Sequence, residues 1–382
     1  MSSAQTTAQT STASSLWSNR RFLTIWLGHG LSVLGDGFHS VALGLWVLQT
    51  TGSSTAMATV MTIRVAASVL LGAIAGTTVD RVNRRLLMIW TDLIRFALVG
   101  LTAYLVAVPG TSVWPIFLLT GLISICSQFF FPAFHASLIN IVDREHLPKA
   151  SSLLQMTNTV AQTVGPFLGG ATVALLGGGA ALVGDASSFL ISALLLLIAG
   201  NFASPRGESK EHVSFWQDLR EGVAYIIQQP LTRAVIVLAP LANFFVSAIS
   251  VLIPVIAVKK WMASPVEFGM LEAAFPLGFA IGAMLVMSMM GKMRRKGWWI
   301  YGGMMTVGVV AACAVLLPSV YAALPVIPVI GVAVAIANVL MQIALQSQVP
   351  GQLQGRVFGT LGSLSSVASP VAMIAVGVLA DL

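Results

Sequence analysis

Runs of eighteen or more predominantly apolar residues recur along the whole chain, and this repetition constrains the fold more than any other feature. A run of that length spans the hydrocarbon core of a bilayer as a helix. Inside the bilayer every backbone N–H and C=O must be satisfied within its own segment, so the chain is all-α. The runs are continuous rather than alternating, which excludes a strand barrel. Composition agrees: 9% of residues are charged and 57% hydrophobic, with mean hydropathy +0.89, where soluble domains carry about 25% charge. A polytopic membrane protein follows.

The pattern predicts eleven spans, at 22–48, 54–79, 86–107, 112–141, 150–176, 179–199, 231–258, 266–290, 298–317, 323–348 and 356–380. The connections alternate in character. Those at 80–85, 142–149, 200–230, 291–297 and 349–356 carry charge, and those at 49–53, 108–111, 177–178 and 318–322 carry none. Only the 259–265 loop, with Lys259 and Lys260, breaks the alternation. Of the 20 lysines and arginines, Arg64 and Arg95 lie in span interiors and sixteen, counting Arg233 and Arg356 at span ends, fall on one side. Basic short loops stay inside, so the N-terminus is expected in the cytoplasm of an inner-membrane, multi-pass protein. The net charge of +7 is thereby topology rather than a nucleic-acid footprint.

Residues 1–19 are rich in Ser, Thr, Ala and Gln and read as a disordered cytoplasmic tail. The long polar connection at 200–230 divides a six-helix bundle, 20–199, from a five-span bundle, 231–382. Within it, Phe215–Glu221 reads as an interfacial helix. The halves echo each other, as parallel transporter repeats do: Asp80–Arg85 matches Lys292–Lys296, and Pro166 matches Pro370. By that repeat a twelfth span should follow Leu382. The expectation is an incomplete sequence, with a native eleven-span protein as the alternative.

The loop Gly76-Thr77-Thr78-Val79-Asp80-Arg81-Val82-Asn83-Arg84-Arg85 joins spans two and three. Its carboxylate can sit at a helix end and pair with guanidinium groups, forming a latch that must break when helices slide. A generic positive-inside turn is the plainer reading, but that needs neither the glycine nor the aspartate. Gly-x-x-x-Asp-Arg-x-x-Arg-Arg resembles the signature loop of major facilitator superfamily transporters. Gly165-Pro166-Phe167-Leu168-Gly169-Gly170 in span five resembles the Gly-Pro-x-x-Gly-Gly motif of the drug/proton antiporters of that superfamily. Leu34-Gly35-Asp36, Thr51-Gly52-Ser53, Asp218-Leu219-Arg220-Glu221-Gly222 and Gly355-Arg356-Val357 are similar to stretches of its macrolide-efflux and enterobactin-exporter branch. The resemblance implies two helical bundles rocking about a central site. It also implies proton-driven export of an amphipathic compound (a drug, macrolide or siderophore-like molecule) by a monomer, with substrate, protons and the lipid bilayer as partners and no cofactor.

Site residues follow from placement. Asp36 and Arg64 stand about 14 and 15 residues from the charged ends of spans one and two, at nearly equal height. They are expected to pair, either as a proton- or substrate-responsive switch or as a static packing contact. Glu272 is the second proton-coupling candidate, with an ordinary interfacial carboxylate as the alternative. Asp92 and Arg95, three apart on span three, are expected to extend the latch formed by Gly76, Asp80, Arg81, Arg84 and Arg85. Gly165, Pro166, Gly169 and Gly170 should allow close helix approach and a bend. Asp185 is read as organising helix packing. Cavity-lining candidates are His29, Ser32, His39, Gln128, Gln155, Asn158, Gln162, Asn243, Asn338, Gln342 and Gln346, with interhelical hydrogen bonding as the equal alternative for the uncharged stripes. Span four lacks the arginine that many proton-coupled exporters carry, offering only Gln128 and His135, which moves weight to Asp36, Arg64 and Glu272. No Gly-x-x-x-x-Gly-Lys-Ser/Thr loop, catalytic triad or metal-ligand cluster occurs, so an enzyme is not expected and the energy source is a gradient. An importer or lipid flippase on the same fold, a non-transporting membrane sensor and, last, a passive channel are the rival functions.

Overall fold

The computed structural model describes residues 16–79, 81–143, 145–201, 228–289 and 296–382. Eleven helices in it are long and apolar enough to cross a membrane. They are α1 (Arg20–Thr51), α2 (Ser54–Val79), α3 (Arg84–Ala107), α4 (Val113–Ile141), α5 (Leu147–Leu176), α6 (Gly178–Ile198), α7 (Pro230–Lys259), α8 (Pro265–Met289), α9 (Lys296–Leu316), α10 (Ile327–Gln348) and α11 (Gly351–Leu379). A one-turn helix, Val320–Ala323, leads into α10. The expected interfacial helix at 215–221 and the basic run from Lys292 to Arg295 lie outside the described residues.

Local chemistry sets the ends. Asn19 accepts a hydrogen bond from the Phe22 amide at 3.0 Å, so α1 begins before its first long apolar residue. The Asn19 side chain also donates to the Ile141 carbonyl at 2.7 Å, tying the start of α1 to the end of α4. At the other end Gly52 takes φ 64°, a left-handed conformation that stops the helix. Asn83 caps α3 in the same way as Asn19 caps α1, through the Leu86 amide.

The two halves are built alike. In the first, α1 packs along α5, α2 on α4 and α3 on α4, with α6 wedged against α1 and α3. In the second, α7 packs along α11, α8 on α10 and α9 on α10. The equivalent pairings recur, as expected for a parallel repeat. Between halves the main contacts are α5 with α8 and α2 with α11.

These inter-half contacts are concentrated at one end. Call the end bearing residues 81–85 the arginine end, and the end bearing 52–54 and 380 the neutral end. Two buried apolar clusters join the halves. One unites Val41 and Leu45 with Ala257, Phe268 and Leu271; the other unites Val47, Met57 and Ala58 with Val251, Val255 and Met373. All of these residues lie in the neutral-end portions of their helices. Toward the arginine end the clusters stay within one half: Phe22, Met88, Phe134 and Leu154 in the first, Val235, Leu345, Val357 and Leu361 in the second. The halves are sealed at the neutral end. Among the described residues, no buried apolar cluster joins them at the arginine end.

Candidate functional site

Three ionisable residues stand below the seal. Arg64, ten residues into α2 from the neutral end, is exposed, and Asp36 on α1 and Glu272 on α8 are half-buried. Asp36 and Glu272 are both within electrostatic range of Arg64. Its guanidinium therefore acts electrostatically on a carboxylate of each half. The direct Asp36–Arg64 contact expected from sequence is not made: among the described residues the ion pairs are His39–Asp185, Asp92–Arg95 and Lys259–Asp381. The physical reason is access to water, since an exposed arginine gains little from a tight pair.

Asp36 is also within electrostatic range of Asp185, His39 and Arg95. Asp185 on α6 lies at the heart of the first half, 2.9 Å from Nδ1 of His39. Its other oxygen, Oδ1, is buried with no hydrogen-bond partner. That oxygen faces the Cα of Gly35, where a Cβ would stand 2.7 Å from it. The expectation that Asp185 organises packing holds for its position, and sequence reasoning missed its partner. His39 was placed on a cavity wall, yet it is buried, as are His29 and Ser32. This corrects the reading of the polar face of α1. His29 stacks on Phe134 with ring centroids 4.3 Å apart and bonds Asn158 at 3.0 Å. A polar face avoids lipid equally well by packing on another polar helix, and here α5 and α6 supply that helix. Asn158, half-buried, is thus a helix–helix contact rather than an open wall.

Asp92 and Arg95 form a direct ion pair within α3, and both are buried. The Arg95 guanidinium lies between the rings of Phe130 and Phe189, 4.5 and 4.3 Å from their centroids. Arg95 is thus enclosed by α4 and α6, eleven residues from the start of α3. That depth separates the pair from the surface loop it was expected to extend. Asp80 lies outside the described residues. Of the loop arginines, Arg85 donates to the Leu196 and Leu197 carbonyls at 3.1 and 2.9 Å, capping α6. Arg84 donates to the Ala136 carbonyl of α4 at 3.0 Å, and Arg81 is exposed. A Cβ on Gly76 would meet nothing within 4 Å.

The glycine–proline motif of α5 makes two interfaces. A Cβ on Gly169 would lie 2.8 Å from the Phe38 Cα, and one on Gly37 would lie 2.6 Å from the Gly165 carbonyl carbon, so α1 and α5 touch through backbone. Gly170 faces Gly269 of α8 across the seal, and Gly269 in turn faces the Pro166 carbonyl. Of the remaining polar candidates, Gln155, Gln162, Asn338, Gln342 and Gln346 are exposed, and Gln128 and Asn243 are half-buried. A separate lateral cavity of about 640 Å³ opens between α1, α3 and α6, lined by Trp46, Gln49, Tyr104 and Gly177 among others. None of the candidate residues lines it.

Against known proteins, residues 25–373 match the family model of the Major Facilitator Superfamily. The chain belongs to this superfamily. It is a multi-pass membrane protein with the family and fold of transporters. Macrolide efflux protein A of Streptococcus pyogenes is 24% identical over 369 residues, covering 94% of this chain and 89% of that protein. The enterobactin exporter EntS of Shigella boydii is 27% identical over 373 residues, covering 92% and 86%. Among solved structures, a bacterial homolog of the human lysosomal transporter Spinster aligns with a TM-score of 0.73 at 15% identity, covering 93% of this chain and 80% of that one. The fold and the branch resemblance read from sequence are thereby both upheld.

Proposed function

We propose that this superfamily member is a proton-coupled exporter of amphipathic small molecules in the cell membrane, with its N-terminus cytoplasmic. The observation that carries the reading is that Arg64 lies within electrostatic range of Asp36 of one half and of Glu272 of the other, below a seal that among the described residues joins the halves at the neutral end. Protonating either carboxylate changes the charge that Arg64 sees, so proton binding biases the balance between the halves. The excess of basic residues at the arginine end supports a cytoplasmic placement of that end, so that in this state the end away from the seal faces inward. The relatives named for macrolide efflux and enterobactin export support outward movement of bulky compounds. Asp80 with Arg81, Arg84 and Arg85 would stabilise the opposite, outward-open state.

The test is uptake of a fluorescent drug panel into inside-out vesicles with and without an imposed pH gradient. Gradient-dependent uptake that falls at least about tenfold in Asp36→Asn or Glu272→Gln is the expected outcome. Uptake indifferent to the gradient in the unmodified protein would refute proton coupling.

A further inference from the structure

The chain carries an acidic residue, Asp381, just beyond the end of α11, that the reading above leaves without a role. Its carboxylate gathers four donors. Ser53 Oγ and the Ser54 amide donate at 2.7 Å each, the Thr55 amide at 2.9 Å and Lys259 Nζ at 2.8 Å. The first three belong to the start of α2, in the first half. Lys259 ends α7, and Asp381 follows α11, both in the second half. A single side chain thus fastens three helices across the line between the halves.

We infer that Asp381 is the latch of the neutral-end gate: it holds the arginine-end-open state by capping α2 from the opposite half. Three observations converge. A carboxylate at a helix N-terminus meets unpaired amides and the positive end of the helix dipole, and here those amides are on the other half. The contact lies directly on the α2–α11 crossing, where Gly377 lets the backbones meet; a Cβ there would stand 3.1 Å from the Thr55 Cα and 3.2 Å from the Ser54 carbonyl oxygen. Lys259 is one of two lysines at this end, and it is spent on Asp381; the other, Lys260, donates to the Val315 carbonyl at 2.8 Å within its own half. Opening this end must separate α2 from α11, and that motion breaks the Ser53, Ser54 and Thr55 bonds together while leaving Asp381–Lys259 intact. The gate therefore opens by losing the cap rather than the ion pair, and Lys259 holds the carboxylate in place for reclosure.

The inference rests on the alternating-access part of the proposed function and on neither its proton coupling nor its substrate. The experiment reads the gate directly. Cys126 and Cys313 are first changed to serine. Spin labels are then placed on exposed sites at Gln49 and Met262 across the neutral end and, in a second protein, at Val82 and Ser347 across the arginine end. Distances are measured by double electron–electron resonance in lipid nanodiscs. In Asp381→Ala the ratio of open to closed neutral end should rise about tenfold, with the arginine-end distance shortening in step. Lys259→Gln should shift the ratio less, and Asp381→Glu should restore part of it. Unchanged distributions in Asp381→Ala overturn the latch. Should that variant fail to yield monodisperse protein, Asp381→Asn and Ser53→Ala carry the same test, and unchanged distributions in both overturn it equally. A protein that changes gate distances but transports nothing in vesicles would retain the latch while removing the exporter.

Discussion

Gly269→Ala tests the seal through its tightest backbone contact. In the closed neutral end a Cβ on Gly269 would stand 3.1 Å from the Gly170 Cα and 3.2 Å from the Pro166 carbonyl carbon, and nearer still to the Pro166 carbonyl oxygen. Optimal carbon–carbon separation is about 3.5–4.0 Å, so the methyl is short by roughly 0.5 Å against atoms that cannot rotate away. Every obstructing atom is backbone of α5, and only separation of α5 from α8 relieves the clash. Overpacking of this kind costs about 1–3 kcal/mol, and the cost falls on the sealed state alone. The ratio of open to closed neutral end should therefore rise about fivefold to a hundredfold, taking tenfold per ~1.4 kcal/mol. Spin-label distances between Gln49 and Met262 measure this ratio. Gly302→Ala on α9 is the control, because a Cβ there meets nothing within 4 Å. If Gly269→Ala gave the same distances as the control, the claim that α5 and α8 close this end by backbone contact would be wrong.

Asp92→Asn should destabilise the first half by about 3–5 kcal/mol, because it strands the buried Arg95 charge between two aromatic rings. Replacing both residues by leucine should recover most of that loss in equilibrium unfolding from mixed micelles; a double variant worse than the single would contradict the account. At the gate, burial alone would raise the Asp381 carboxyl. Hydrogen bonds from Lys259, the Thr55 amide, Ser53 and the Ser54 amide outweigh it and hold the group far below the usual carboxylate range. A carboxyl lowered in the closed state gives stabilisation that is fully present above its free value of about 3.9 and lost only as pH falls through the lower, closed-state value. Among the described residues the other charged groups at this end are Lys259 and Lys260 of α7 and Glu267 in the first turn of α8. In an Asp36→Asn/Glu272→Gln background the neutral end should therefore stay closed from about pH 8 to about pH 5. Opening over that range in spin-label distances would refute the assignment.

The spans were legible because a bilayer leaves a chain few options, and the glycine–proline motif was legible because close backbone approach needs small residues wherever it occurs. Side-chain pairing was not. His29, Ser32 and His39 share one face of α1, and helical spacing states only that they share it. Whether that face meets water or a second polar helix depends on α5 and α6, more than a hundred residues away. Asp185 illustrates the same limit from the other side: its depth was evident and its partner was not. The signal for Asp381 was present in the sequence. An acid just past an apolar run, opposite a loop whose lysines break the charge alternation, marks a pair across the same end of the molecule. Its capping of α2 was out of reach, because it depends on the crossing of α2 and α11.

That crossing also accounts for glycines that the closed end does not use. Where α2 and α11 touch, Gly377 lies against Ala58. Gly72 is 14 residues farther along α2, and Gly362 is 15 residues back along α11. At about 1.5 Å per residue both stand about 21–22 Å from the contact, at the same height toward the arginine end. In this state a Cβ on Gly72, Gly76 or Gly362 would meet nothing within 4 Å. Glycine in a helix interior costs about 1 kcal/mol relative to alanine, a penalty with no return in the sealed arrangement. A return exists if the same two helices meet at the other end when the neutral end parts, with small residues again letting backbone approach backbone. The arginine loop begins within a few residues of Gly76, so closure there would bring its charges against α11. A balance between two such ends is shifted by a few kcal/mol, the scale of one capping carboxylate or one misplaced methyl.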